Sequence, residues 1–215
     1  MGHVELESTL SPTQLALRRT TEPQASASSF ADALITSRQN ISPKRQVEPG
    51  PNVSQLDQIF RCAASAPDHG LVRPWRFVIV PQDKRALLAE VFALALVDRD
   101  PGATLEQIET AREKAHRAPV LMLVVARLGA CEPPIPALER MVSVGAAVQN
   151  MLLMAHGQGF GSSLTSGQAM QSPRMRQLFE LATGEEAVCF LNIGTVSKRK
   201  AQRLHPEARS FVSSL

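Results

Sequence analysis

Tyrosine is absent from this chain, tryptophan occurs once and phenylalanine eight times, so aromatics make up only 4% of 215 residues. A protein that reads single-stranded nucleic acid by stacking bases on aromatic platforms has little to stack with here. Charge gives no better case for a polyanion partner, because 23 Lys and Arg against 20 Asp and Glu leave a formal +3 with no cationic stripe. The three cysteines, Cys62, Cys131 and Cys189, are odd in number and far apart. They form neither a disulfide framework nor a CxxC knuckle, and packing is their expected use. No apolar run of about 18 residues is present, and no basic head followed by an apolar stretch opens the chain. Neither a membrane span nor a secretory signal is therefore expected, and the cytoplasm is the default location. Leu6 stands where a myristoylation pattern wants Ser or Thr. There is also no HExxH or other paired metal spacing and no GxSxG elbow, so no metal site and no covalent hydrolase is expected.

What is present is the composition of a globular protein, with 44% hydrophobic and 20% charged residues. The length suits one compact subunit with a tail. Residues 1–29 are rich in Ser, Thr, Gln and Ala without a period, and are expected to be a flexible N-terminal arm before a domain at 30–215. Phe30 to Thr36 reads as a short amphipathic helix, and Ser37 to Pro51 as a polar, Pro-bearing loop. Val53 to Ala66 is a strong helix candidate, with Ser54 as N-cap and apolar positions at 56, 59, 60 and 63.

Arg76 to Val80 is a short β-rich run, followed by helical spacing from Asp83 to Leu96 with Leu87, Leu88, Val91 and Phe92 on one side. Leu105 to His116 is a charge-laced helix. Val120 to Ala126 is uninterrupted and apolar, as expected of a central strand covered on both faces. A long apolar helix runs from about Pro136 to His156, a further helix lies near Arg174 to Leu181, and a strand spans Ala187 to Ile193. Strands alternate with helices, but only about three are strong. The pattern therefore favours an α+β fold, a small central sheet wrapped by helices, over a full doubly wound sheet.

Gly157-Gln158-Gly159-Phe160-Gly161 looks like a dinucleotide fingerprint, but that turn must follow a strand, and here it follows a helix. Gly157 is better read as a left-handed helix cap. The helix before it is apolar almost all round, with small residues Ser143, Gly145, Ala146 and Ala147, so it is either central in one subunit or the contact helix of a dimer. Basic groups occur in two loops far apart in sequence: Arg38 with Lys44 and Arg45, and Lys198, Arg199 and Lys200 with Arg203. If the fold brings them together they suit a single phosphate. The sole Trp lies in Ala66-Pro67-Asp68-His69-Gly70-Leu71-Val72-Arg73-Pro74-Trp75-Arg76-Phe77, a helix-to-strand connector expected to bury its indole.

That connector resembles the nitroreductase family, whose members carry an AP(S/D) … PW-x-F signature after the second helix. The likeness extends through Arg38-Gln39-Asn40, which matches an early Arg-Arg-Ser flavin motif, and through Arg117-Ala118-Pro119 before the central strand. It continues through the long helix and its GQGFGS turn to Phe190-Leu191-Asn192-Ile193-Gly194-Thr195, most like a compact bacterial subgroup. The resemblance implies an interlocked homodimer with FMN in the interface and NADH or NADPH as co-substrate. Carried over, Arg38, Gln39 and Asn40 would meet the FMN phosphate and ribityl chain, and His69 would reach the flavin from the partner. Leu164, Thr165 and Ser166 would contact the flavin where the subgroup has Trp-Arg-Ser. Met154, Ala155, His156, Gly157, Gln158 and Gly159 stand where a nicotinamide site is assigned, and a cation among Lys198, Arg199 and Lys200 would complete the phosphate cradle.

This chain departs from the pattern at Gln39 and Asn40, which replace Arg and Ser, and at Leu164 and Thr165, which replace Trp and Arg. The loop from Ser37 to Glu48 is also about two residues longer. The implied activity is hydride transfer from NAD(P)H to a small nitroaromatic or quinone-like acceptor by a ping-pong scheme, with Lys44 or Arg45 near the flavin N1 and O2. The chemistry is on the cofactor and no side chain is assigned as catalytic. A biosynthetic dehydrogenase or oxidase of the same fold, and a non-catalytic flavin carrier, are the alternatives; oxygen uptake without a nitro compound would mark the first, and flavin binding without turnover the second.

Overall fold

The computed structural model describes residues 26–201 and 204–215, so most of the expected arm and Arg203 lie outside the described residues. The chain divides into two compact units, residues 1–38 and 39–215. In the first, residues 26–37 form helix α1, which contains the stretch expected to be helical. Phe30 and Ile35 on it are exposed.

The second unit holds five strands: β1 Gln46–Val47, β2 Trp75–Ile79, β3 Val120–Arg127, β4 Gly161–Thr165 and β5 Glu185–Val196. Its helices are α2 Val53–Ala64, α3 Arg85–Arg99, α4 Leu105–Glu113, α5 Ala137–Gly157 and α6 Pro173–Leu178. All strand pairings are antiparallel. β3 lies between β2 and β5, and β5 also pairs with β4 over Phe190 to Gly194 and with β1 over Thr195 and Val196. The architecture is α+β, as expected, although two of the five strands are absent from the sequence reading.

The unbroken apolar run of β3 has a direct cause in the layering. Met122, Val124 and Ala126 face α2 and α5 in one core, with Ile59, Val148 and Met151. Leu121, Leu123 and Val125 face α3 and α6 in a second, with Leu88, Met175 and Phe179. Each face of the strand is dry, so alternation of polar and apolar residues is not needed. Against α3 the sequence reading needs one correction: Leu88 and Ala89 are buried, whereas Leu87 points to solvent. The inward stripe runs through small alanines at 89 and 93, which lets α3 sit close to the sheet.

Two helix ends also differ from expectation. The α2 cap is Asn52, whose side chain accepts from the Gln55 amide at 2.9 Å while Gln55 returns a bond to the Asn52 amide at 2.9 Å. This reciprocal box satisfies two otherwise orphaned donors, which Ser54 inside the first turn cannot do. At the end of α5 the left-handed residue is Gly159, with φ +88°, rather than Gly157, which is still helical. Trp75 is half-buried and begins β2 instead of sitting in the connector. Among the described residues no helix is long and apolar enough to cross a membrane.

Candidate functional site

A groove of about 940 Å³ opens on the α3 face of the sheet. Its floor is Leu121 of β3 with Phe190 and Asn192 of β5, and Phe92 of α3 meets Phe190 edge-on at 5.5 Å between ring centroids. Thr165, Ser166 and Gly167 form one rim, and the turn Ser42-Pro43-Lys44 another. The remaining wall is the face of α4 carrying Gln107 and Thr110, followed by Lys114 and Arg117. An apolar floor with a few convergent polar groups is the usual design of a small-molecule site.

The groove is cationic. Lys44, Arg99, Lys114 and Arg117 line it against one carboxylate, Glu106. Arg117 makes only a long 3.4 Å contact with Glu113. Among the described residues Lys44, Arg99 and Lys114 have no carboxylate partner, which leaves their donors available to an anion.

A buried polar seam sets the rim. Gln46 of β1 donates from Nε2 to the Ile41 carbonyl at 2.7 Å and to Ser163 Oγ at 3.1 Å. Asn192 donates from Nδ2 to Thr165 Oγ1 at 3.0 Å and to the Phe190 carbonyl at 3.3 Å. These buried amide donors tie β1, β4 and β5 together, although Gln46 Oε1 has no partner among the described residues. The same strands explain part of the GSSLT segment: Ser162 and Ser163 are polar yet buried, and Ser163 Oγ meets Gln46 inside whereas Ser162 Oγ has no partner among the described residues.

The two basic loops converge. β1 pairs with the end of β5, Gln46 opposite Val196. The Arg45 carbonyl then accepts from the Ser197 amide at 2.9 Å and from its hydroxyl at 3.0 Å. Lys44 and Arg45 therefore lie beside the strand end from which Lys198, Arg199 and Lys200 emerge, exposed.

The other expected site residues are placed as follows. Arg38 ends the first unit, after α1. Gln39 is half-buried with Oε1 unpartnered, and exposed Asn40 bridges to Ser162. Thr165 and Ser166 are in the groove, and exposed Leu164 precedes them on β4. His69 is outside it, on the connector, with Nδ1 2.7 Å from Glu139 Oε2. That connector is held by Asp68, whose carboxylate accepts from the Arg73 amide at 2.8 Å and whose carbonyl accepts from the Leu71 amide at 3.1 Å. Leu71 and Arg73 have φ of 53° and 45°, costly for side-chain-bearing residues and frequent at functional loops. Met154, Ala155, His156, Gly157, Gln158 and Gly159 lie at the end of α5, off the groove, and Gln158 is tied to α2 through Gln55 and Gln58.

Sequence reading did not single out Thr110, Lys114 or Arg117 as site residues. Their 3- and 4-residue spacing, which puts Thr110 and Lys114 on one helix face, is the signal that was there to find.

The profile of the Nitroreductase family matches residues 46–195 of this chain. A Haemophilus influenzae protein provisionally named NAD(P)H nitroreductase is 33% identical over 172 residues, 80% of this chain and 92% of that one. The YdjA protein of Escherichia coli K12, under the same provisional name, is 32% identical over 185 residues, 85% of this chain and 98% of YdjA. Among solved structures, a nitroreductase-like family protein from Bacillus cereus superposes with a TM-score of 0.74 at 17% identity, over 85% of this chain and 94% of that one. A Clostridium difficile protein titled an FMN-dependent nitroreductase gives 0.60 at 15% identity, over 85% and 97%. The chain belongs to the Nitroreductase family.

Proposed function

We propose that this chain is an FMN-dependent oxidoreductase acting as a homodimer, with the cationic groove as its flavin site. The observation that carries the reading is the junction of Arg45 with Ser197, which sets two clusters of cations beside one another at the edge of a groove of suitable size. The residues present fit FMN: Lys44 and the cations at 198–200 suit its phosphate, and the apolar floor of Leu121 and Phe190 suits a flat ring. When bound, FMN supplies hydride acceptance from NADH or NADPH and hydride delivery to a nitroaromatic or quinone-like acceptor, in alternating turns.

The chain's own residues bind, orient and polarise. Lys114 and Arg117 line the wall of the groove, where positive charge would favour the electron-rich reduced ring. Thr165 and Ser166 offer hydrogen bonds at the rim, and Arg38, Gln39 and Asn40 remain assigned to the phosphate and ribityl chain. No side-chain acid lies on the floor among the described residues, so water supplies the acceptor's proton.

The homodimer has support in the surface of α5. Leu138 and Val142 are 82% and 71% exposed, and exposed Gly145 follows on the same helix face. A second copy covers this face, and its connector brings His69 to the flavin. Since Met154 to Gly159 lie off the groove of their own chain, a nicotinamide role for them also passes through the second copy. Anaerobic addition of NADH and NADPH to the purified protein tests the reading: the oxidised flavin spectrum is expected to bleach with at least one of them, and a spectrum unchanged by both would contradict it.

A further inference from the structure

Arg85 is 1% exposed, yet among the described residues no carboxylate touches its guanidinium. Burying such a charge is unfavourable unless its donors are matched. Backbone carbonyls match them: Nε donates to Val80 at 2.9 Å, Nη1 to Ala115 at 2.7 Å and Nη2 to Pro119 at 3.1 Å. The Val80 carbonyl follows the end of β2. The other two bracket the corner that joins the end of α4 to β3. Arg117 lies between them in sequence and Lys114 just before them, and both face the groove.

The corner is braced from other sides as well. A Cβ on Gly50 would come 2.9 Å from Pro119 Cβ, and one on Gly194 would come 2.7 Å from Pro119 Cδ. Pro119 is therefore held between a guanidinium fork and two glycines. Only a planar fork reaches Ala115 and Pro119 at once, since an ammonium is a point donor on a flexible stem.

We infer that Arg85 is a positioning residue for the groove's cations: its fork fixes the Ala115–Pro119 corner so that Lys114 and Arg117 present to the bound flavin. The inference rests on the flavin reading of the groove. If Arg85 merely fastened α3 to the sheet, its loss would lower stability and leave flavin affinity independent of Arg117.

The test is a double-mutant cycle on the full chain, with FMN dissociation constants from flavin fluorescence and denaturant unfolding in parallel. Arg85→Lys is expected to weaken FMN about tenfold in the natural background but less than about threefold beside Arg117→Ala, because neighbours acting through one group are not additive. The loss of unfolding stability should be the same in both backgrounds. An equal factor in both backgrounds, or unchanged FMN affinity in Arg85→Lys, overturns the inference. Failure of the unmutated chain to bind FMN overturns instead the flavin reading beneath it. Should Arg85→Lys not fold, Gly50→Ala displaces Pro119 from another side and must show the same coupling to Arg117→Ala; additivity there overturns the inference equally.

Discussion

Ser197 donates both its amide and its hydroxyl to the carbonyl of Arg45, at 2.9 and 3.0 Å. Two residues 152 positions apart thus join the turn carrying Lys44 to the tail carrying Lys198, Arg199 and Lys200. Neither segment alone differs from solvated surface; together they carry the phosphate site proposed above.

Phosphate recognition at this junction separates FMN from riboflavin. Lys44→Ala and Lys198→Ala are each expected to weaken FMN by about tenfold, in line with loss of one charge-assisted hydrogen bond, and to leave riboflavin nearly unaffected. Titration of both flavins against each variant checks this; equal losses for both would place the phosphate elsewhere.

Acid sensitivity should come from the opposite end of the sheet. Glu185 accepts from Arg76 Nη2 at 2.7 Å and Nε at 2.9 Å, and from Arg127 at 3.4 Å. The Arg76 hydrogen bonds lead in holding its carboxyl at about 2, against an ordinary 4.5. A depressed folded value means stability that is complete above about pH 4.5 and drains away as the pH falls towards 2. At neutral pH the contribution is on the order of 3 kcal/mol. Glu185→Gln should flatten the pH dependence of urea unfolding in that window; an unchanged slope would mean the pair adds nothing.

Thiol reactivity should rank by burial. Cys189 is buried, and desolvation pushes its thiol up to about 11, whereas Cys62 and Cys131 are half-buried. Alkylation under native conditions at mildly alkaline pH should spare Cys189 until denaturant is added. Mass mapping that finds Cys189 modified first would contradict the packing of β5.

Close backbone contact at the far turn should make Gly184 intolerant of substitution. Its φ is +82°, and an added Cβ would lie 2.5 Å from the Gly129 Cα. Gly184→Ala is expected to lower unfolding stability by roughly 1–3 kcal/mol, combining left-handed strain with a backbone clash.

The exposed stripe on α5 makes the oligomer testable. Val142→Glu should shift the protein to a monomer by light scattering and lower flavin affinity in step. A monomeric unmutated protein that binds FMN normally would refute the shared site.

The sequence disclosed elements whose burial is one-sided or complete. β3 was legible because both faces are dry, and α5 because its period persists for 21 residues. β1 was not, since two residues carry no period, and β4 was not, since Ser162 and Ser163 look like loop residues until Gln46 and Asn192 are seen bonded to Ser163. The cations of the site were noticed as two distant basic loops. The pairing that unites them is a property of strand register, invisible before folding. Lys114 and Arg117 were missed for another reason: on a charged helix end their spacing from Thr110 is a faint signal beside Arg112 and Glu113, and only the corner held by Arg85 shows which of these face the groove.

The central claim is that the groove holds a redox-active flavin, and the absorbance spectrum of the purified full chain tests it most directly. Flavin bands, present as isolated or after added FMN and bleached anaerobically by NADH or NADPH, are the expected result. A colourless protein that takes up no FMN, or a bound flavin that neither nicotinamide reduces, would contradict it.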